Sequence, residues 1–211
     1  MTEGRLLGAA VVAFAALLGA AMACYPGGDY FHAEGTHYRF WHNFLCDLLL
    51  AESLNGQANV VGSVLATLSA FVMMVFGLLP VWWRARTWRV ATRASGVLST
   101  AFAMLMCVQV SFDLPLPHPV ITLLFGGFAV IASIPVVIDL RWPPATPVVV
   151  AWTGVLALAS AVGGAVLYGL TKWGGLTASP LLPVVQKVVL ILTVAWLGVL
   201  ARHLCARDRG L

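Results

Sequence analysis

Apolar residues form six long continuous runs along the 211-residue chain, and short segments containing charge, proline or glycine separate them. A helix that crosses a lipid bilayer needs about 20 mostly apolar residues, and the runs are close to that length. The alternation of apolar and polar positions that is typical of membrane β-barrel strands is absent from them. The pattern predicts six transmembrane helices, over residues 6–23, 59–82, 96–112, 119–138, 148–171 and 183–201.

The overall composition supports this interpretation. Hydrophobic residues make up 61% of the chain and charged residues 9%, and the mean hydropathy is +0.94. Soluble domains are about 45–50% apolar and about 25% charged, so the composition excludes a soluble globular protein, a disordered chain and a nucleic-acid-binding module. We expect one all-α polytopic membrane domain over residues 1–211, with membrane lipids as its surroundings and partners. The oligomeric state is open at this stage.

The basic residues are distributed unevenly between the two sides of the membrane. If the N-terminus is cytoplasmic, nine of the twelve Lys and Arg residues flank the spans on the cytoplasmic side: Arg5, Arg84, Arg86, Arg89, Arg93, Arg141, Arg202, Arg207 and Arg209. The other three, Arg39, Lys172 and Lys187, lie on the outer side. Cytoplasmic flanks carry an excess of Lys and Arg. We therefore expect a protein of the prokaryotic cytoplasmic (inner) membrane, with both termini in the cytoplasm and residues 25–58 outside.

Residues 25–58 form the one long connection between predicted spans. Long connections within a compact domain are usually functional or disordered, and the seven aromatic residues of this one argue for order. Residues 39–53 predict a helix, in which Arg39, Asn43 and Asp47 are spaced i, i+4 and i+8 and share one face. Because about fifteen residues are too few to cross the bilayer, we expect an interfacial or re-entrant helix.

Ionisable residues are concentrated on the outer side, where four of the five histidines and five of the eight acids lie. Charged groups near membrane depth are costly and usually face a partner, a cavity or a pathway. We therefore expect an outward-facing polar pocket that binds a lipid or a small amphiphile, with Lys187 paired to Asp47 or Asp113 and with Arg39 and Lys187 facing a phosphate. The predicted ligand-binding residues are Arg39, Asn43, Asp47, Asp113 and Lys187.

A membrane-embedded hydrolase is an alternative interpretation of the same residues. Asp47 would serve as the base with His42 or His118 beside it. A zinc ion would need three or four converging donors, for which the candidates are His32, His37, His42 and His118. The first three histidines are five residues apart, a spacing that does not place them on one helix face, and no His-Glu-x-x-His motif is present. A third alternative is a structural or partner-binding scaffold.

Two cysteines, Cys24 and Cys46, lie near the outer face, where an oxidising compartment would permit a disulfide. Sequence position alone does not show whether their geometry allows a bond. A Cys24–Cys46 disulfide and two free thiols are both open at this stage.

The first outer connection also carries a family resemblance. The run Tyr25-Pro-Gly-Gly, followed by Phe40-Trp-His-Asn-Phe-Leu-Cys-Asp-Leu48 and then Asn55-Gly-Gln-x-Asn59, resembles uncharacterised prokaryotic membrane proteins of the domain-of-unknown-function family numbered nine-nine-eight, which is similar in layout to the Frag/DRAM/Sfk group. The chain departs from that pattern at Cys46, where Ser is commoner, and at Leu49, where Gly is commoner. The resemblance covers the first connection only. It implies six helices and an important Asn43/Asp47 pair, and the family brings no established activity.

Overall fold

A computed structural model of the chain describes residues 2–141, 146–174 and 180–209. Its six long helices are α1 (Glu3–Cys24), α2 (Val60–Trp83), α3 (Arg89–Ser111), α4 (His118–Arg141), α5 (Val148–Trp173) and α6 (Leu181–Arg207). Each is long and apolar enough to cross a membrane, which confirms the predicted all-α, six-helix membrane fold. The turn that Pro143 and Pro144 predict between α4 and α5 falls on residues 142–145, outside the described residues.

Two helices extend well beyond the predicted spans. Hydropathy predicts a third span that begins at residue 96, but α3 begins at Arg89, and α6 continues from residue 201 to Arg207. The added turns contain arginines, which lower the local hydropathy without disfavouring a helix. Long basic side chains at helix ends also reach the membrane–water interface. Hydropathy therefore marks the apolar core of each span and not the ends of the helix.

The helices form one bundle in which each packs on the next in the chain and α6 packs back on α1. Gly4 near the start of α1 lies directly against the backbone of Cys205 near the end of α6, so both chain ends lie on one side of the bundle, the terminal side. Small residues permit close helix contacts elsewhere: Gly96 lies against the ring of Trp82, and a Cβ at Gly154 would be 2.8 Å from the Trp196 ring nitrogen.

Helix α2 changes its hydrogen-bond pattern halfway along. It is α-helical over Val60–Phe71, π-helical over Val72–Leu78 and α-helical again over Leu79–Trp83. Pro80 follows the π segment and has no backbone N–H, so it removes one bond of the regular ladder. The amide of Leu79 bonds to the carbonyl of Met74, five residues back, which is the π pattern.

The other side of the bundle is covered by residues 25–59, which we call the cap. Leu48 and Leu49 of the cap are buried with Ala21 of α1, Ala66 of α2 and Cys107 of α3. Cap residues therefore complete the apolar core between three helix ends, and the cap is a folded part of the domain.

The predicted helix over residues 39–53 is wrong. The structure has one turn around residues 40–43 and a short 3-10 helix, Cys46–Leu49. A helix would need the amides of residues 44 and 45 to bond to carbonyls four residues back. Instead the Phe44 amide donates to Asp47 Oδ2 at 2.8 Å, and the Leu45 amide donates to Gln186 Oε1 of α6 at 2.7 Å. Side chains have taken the backbone donors, and the helix cannot continue.

Candidate functional site

Asn43, Asp47 and Lys187 form a buried polar cluster where the cap meets α6, and none of the three is more than 3% exposed. Asn43 is at its centre. Its Oδ1 accepts from the Arg39 amide at 2.9 Å, and its Nδ2 donates to the Gly28 carbonyl at 2.6 Å and to Asp47 Oδ2 at 3.1 Å. One amide side chain therefore fixes the fold of residues 39–47 and joins them to the turn at Gly28.

Lys187 joins the cap to α6. Its Nζ donates to the Asn43 carbonyl at 2.7 Å and lies 5.5 Å from the ring centres of both Tyr38 and Phe40. The neighbouring Gln186 accepts from the Leu45 amide. A cation over aromatic faces is stabilised when water is excluded. Two adjacent residues of α6 thus bind the cap by a charged and a neutral hydrogen bond.

The predicted ion pairs of Lys187 are not formed among the described residues. The Asp47 carboxylate accepts from the side-chain amide of Asn43, and Lys187 donates to the backbone carbonyl of Asn43. No ion pair within 4 Å joins Asp47 and Lys187. Asp113 lies in the turn after α3, where it is exposed with a left-handed φ of 46°. The structure therefore brings Asn43, Asp47 and Lys187 together and leaves Asp113 apart from them.

Burial raises the pKa of Asp47 to about 6, although hydrogen bonds from the Asn43 amide and the Phe44 backbone and the charge of Lys187 act to lower it. The pKa in the unfolded chain is close to 3.8. The folded cap therefore holds the Asp47 proton more tightly than the unfolded chain does, and ionisation of Asp47 opposes folding.

This shift predicts a pH dependence of stability. The Asp47 contribution to the free energy of unfolding should decrease between about pH 4 and about pH 6 and stay constant above, by on the order of 2–3 kcal/mol in total. Asp47→Asn should remove this decrease, because it removes the titrating group. Thermal unfolding of both proteins in detergent across that range tests the prediction. Parallel pH profiles of wild type and variant would contradict it.

A second polar group lies on the outer surface of the cap, around Asp29 and Arg39. Asp29 is 2% exposed, and its Oδ1 accepts from the amides of Phe31 and His32, both at 2.8 Å. Its Oδ2 accepts from Arg39 Nη1 at 3.2 Å. Burial acts to raise the pKa of Asp29, but the hydrogen bonds from those two amides and the charge of Arg39 together lower it. Asp29 is thus a buried carboxylate, and its hydrogen bond from Arg39 Nη1 holds the guanidinium in position.

Arg39 also faces two histidines. Its Nη1 lies 2.9 Å from His32 Nδ1, and its Nη2 lies 3.4 Å from His42 Nε2. The Arg39 side chain is 34% exposed and that of His32 59% exposed. We call this group and the exposed aromatic residues nearest to it in the chain the rim: Tyr30, Phe31, His32, Arg39, Trp41 and His42.

The candidate metal ligands do not converge in the described part of the chain, where no group of three His, Cys, Asp or Glu side chains is arranged to hold an ion. His32 and His42 are neighbours, with ring centres 6.3 Å apart, and His37 is exposed. His118 lies between α3 and α4, where its Nδ1 is 2.9 Å from Gln109 Oε1. No recorded hydrogen bond joins Asp47 to His42 or His118, so the predicted catalytic residues lie in three separate environments.

Cys24 and Cys46 are both free thiols. Cys24 is exposed at the end of α1, whereas burial raises the pKa of the Cys46 thiol to about 12. The thiolate is the reactive form of cysteine, so Cys46 should be inert as long as the cap is closed. The alternative of a Cys24–Cys46 disulfide is not what the structure contains.

Two cavities lie on the terminal side, away from the cap. One of about 200 Å³ is lined by Leu140, Thr146, Val148, Ala151, Trp152 and Val155. A smaller one of about 50 Å³ lies between α1, α2 and α6, next to Glu3 and Arg84. At the cap, Asn43, Asp47 and Lys187 are enclosed by protein and bonded to each other's segments. Their polar groups therefore bind one another and the surrounding backbone in a closed hydrogen-bond network.

The fold and the cap define an integral membrane protein of six helices, with a polar connection folded over one side of the bundle. Comparison of the chain with protein-family models, with curated proteins and with solved structures finds no match. Sequence reasoning missed Asp29 as a cap-organising residue, and it placed Gln186 beside Asp47 or Asp113, whereas Gln186 binds the Leu45 amide. The Gly27-Gly28 pair before Asp29 was the available signal, because both glycines have positive φ and place the Asp29 carboxylate under the rim.

Proposed function

We propose that the protein binds an anionic amphiphile, with its head group on the rim and its apolar part beside the exposed aromatic residues. The observation that carries this proposal is the position of Arg39, whose guanidinium is fixed by buried Asp29 and is partly open to solvent between two histidines. Arginine binds phosphate and carboxylate groups through two parallel hydrogen bonds. An anionic group would replace the histidine nitrogens as the partner of Arg39.

The aromatic residues support an amphiphile over a free anion. Tyr30 is 69% exposed, and Phe31 and Trp41 are each nearly half exposed. Exposed aromatic residues at the edge of a membrane domain lie at head-group depth, where one end of the ring is apolar and the other is wet. The bias of basic residues favours the outer leaflet of a prokaryotic cytoplasmic membrane as the location of this site.

In this proposal, binding takes place on the rim and not in a pocket around Asp47. Asn43, Asp47 and Lys187 hold the cap in position, and Arg39 is the positively charged member of the predicted ligand-binding set that reaches the surface. A hydrolase would need access from Asp47 to a substrate, and the Asp47 carboxylate is instead bonded within the cap. The second candidate function is that of a structural scaffold. The many hydrogen bonds within the cap favour it.

Arg39→Gln tests the proposal. Asp29 keeps its two amide donors in this variant, so the cap should stay folded. We expect the affinity for phosphatidylglycerol, measured by native mass spectrometry of detergent-purified protein, to fall about tenfold, which corresponds to the loss of a charge-assisted contact. Inorganic phosphate should compete weakly, because it lacks the apolar part. Phosphatidylcholine, which has no net charge, should bind less well to the wild type.

Lys172→Gln is the matched control, since it removes one exposed positive charge at the cap-side end of α5. It should leave phosphatidylglycerol binding unchanged. Equal affinities for Arg39→Gln and wild type would overturn the amphiphile proposal and favour the scaffold. Competition by phosphate at the strength of the lipid would identify a free-anion site.

A further inference from the structure

The connection between α2 and α3, residues 84–88, lies on the terminal side and carries exposed tryptophan and arginine side chains. Trp83 is 47% exposed and Trp88 65% exposed, and Arg86 and Arg89 are exposed beside them. We call this group the arginine–tryptophan patch: Trp83, Arg86, Trp88, Arg89 and Arg93. Because α2 ends at Trp83 and α3 begins at Arg89, the patch lies where two membrane spans leave the bilayer.

The backbone of this connection is held in place from α4. Asp139 Oδ2 accepts from the amides of Arg86 at 2.5 Å and Thr87 at 3.2 Å, and Asp139 Oδ1 accepts from the Thr87 hydroxyl at 2.5 Å. The next residue, Trp88, has a φ of 48°. A bulky residue is rarely found in this left-handed region, and such strain persists only where the surroundings impose it. The bonds from Asp139 therefore hold the backbone immediately before the strained and exposed Trp88.

Arg86 has the Asp139 carboxylate as a nearby counter-charge, so the excess positive charge of the patch is carried by Arg89 and Arg93. Arg84 forms an ion pair with Glu3, but no ion pair within 4 Å is recorded for Arg86, Arg89 or Arg93 in the part of the chain that the structure describes. Arg89 and Arg93 are one helical turn apart, a spacing at which like charges repel. Arg93 is oriented by two hydrogen bonds to the Trp83 carbonyl, and its guanidinium lies 4.9 Å from the centre of the Trp83 ring.

We propose that the arginine–tryptophan patch is a binding site for the phosphate of an anionic phospholipid in the leaflet on the terminal side. A phosphate between Arg86, Arg89 and Arg93 would neutralise the repulsion, and the two indoles would lie at the boundary between head groups and acyl chains. The position of the patch at the ends of two spans favours a lipid over any soluble polyanion, because the head groups are at that depth. This site is independent of the rim, which lies on the other side of the membrane.

The distribution of basic residues agrees with this assignment. The terminal side is the side that the excess of Lys and Arg predicts to be cytoplasmic, and cytoplasmic leaflets are rich in anionic lipids that attract basic segments next to a span. The patch differs from a diffuse basic surface in two respects. Asp139 holds its backbone, and the Trp83 carbonyl and ring hold Arg93.

The test compares two variants that each remove two positive charges from the terminal side. Arg86→Gln/Arg89→Gln changes the patch, and neither arginine side chain forms a hydrogen bond within the described residues 2–141, 146–174 and 180–209. Arg202→Gln/Arg207→Gln changes two exposed arginines of α6, outside the patch. The full-length proteins are placed in nanodiscs of phosphatidylcholine or of phosphatidylcholine with one quarter phosphatidylglycerol. Two quantities are then measured. The first is the fraction of spin-labelled phosphatidylglycerol that the protein immobilises, and the second is the increase in thermal stability that phosphatidylglycerol causes.

We expect the patch variant to bind phosphatidylglycerol about tenfold more weakly than wild type and to lose the stabilisation, and the α6 variant to keep both. Equal losses in the two variants would overturn the site, because the effect would then be one of net charge. No loss in either would also overturn it. Arg86→Lys/Arg89→Lys retains both positive charges and should bind phosphatidylglycerol with intermediate affinity. If the Gln variant does not fold, the comparison of the Lys variant with wild type tests the site instead.

Discussion

Replacing Asn43 by alanine is expected to open the cap. The substitution removes three hydrogen bonds, two of them buried and one partly buried, and leaves the Gly28 carbonyl, the Arg39 amide and the Asp47 carboxylate each without one partner. A buried polar group without its partner costs about 1–3 kcal/mol, so the three together should destabilise the closed cap by about 3 kcal/mol or more. The six helices do not depend on these bonds, and the effect should be confined to the cap.

Cys46 reports directly on this opening. Cys46 is partly buried, and burial raises the pKa of its thiol to about 12, whereas Cys24 is exposed and serves as an internal reference in the same molecule. We expect Asn43→Ala to increase the rate of maleimide labelling at Cys46 about a hundredfold relative to wild type, measured by peptide mass spectrometry, because labelling follows the population of the open state. Gln57→Ala, at an exposed amide of the same cap, should leave the rate unchanged. An unchanged rate in Asn43→Ala would contradict the assigned role of Asn43.

Lys187→Met is expected to have an effect of similar size through the other side of the same interface. It removes the donor to the Asn43 carbonyl and the charge that acts to lower the pKa of Asp47. The substitution leaves the buried Asn43 carbonyl without its donor, which costs about 1–3 kcal/mol, and the loss of the nearby positive charge further disfavours the ionised Asp47 carboxylate. The thermal unfolding midpoint in detergent should fall clearly. Lys172→Met, at an exposed lysine, should leave it unchanged.

The double variant Lys187→Met/Asp47→Asn tests the electrostatic part of this argument. With both charges removed, no uncompensated charge is left in the cluster, so the double variant should be more stable than the sum of the two single effects predicts. Neighbouring residues of one network commonly show such coupling, by about 0.5–3 kcal/mol. Additive effects would show that Lys187 and Asp47 act independently, and would contradict an electrostatic coupling between them.

Sequence patterning was sufficient for the six spans and insufficient for the cap. Each span is a continuous apolar run, and a run of that length has few alternatives to a transmembrane helix. The cap depends on contacts between distant residues. Leu45 and Gln186 are 141 positions apart, and Lys187 and Asn43 are 144 apart. Periodicity describes neighbours along one helix and contains no information on such pairs.

The error over residues 39–53 has the same origin. The four-residue spacing of Asn43 and Asp47 indicated a shared helix face, and the two side chains do form a hydrogen bond, but in a turn. Local helix propensity is a weak preference that a buried hydrogen-bond network readily overrides. Arg39, Asp47 and Lys187 were selected as candidate site residues because charges near the membrane are costly. That argument finds the cluster but does not separate a binding group from a structural one, a distinction that needed the exposed surface of Arg39 and the burial of the other two.

Native mass spectrometry of the protein extracted gently from its own membrane tests the central claim most directly. The claim is that Arg39, fixed by Asp29 on the rim, binds an anionic amphiphile while the buried cluster holds the cap. We predict that the wild type and Lys172→Gln retain a stoichiometric anionic amphiphile and that Arg39→Gln loses it, with Cys46 still protected from maleimide. Retention of the same molecule by Arg39→Gln, or its absence from all three proteins, would contradict the claim.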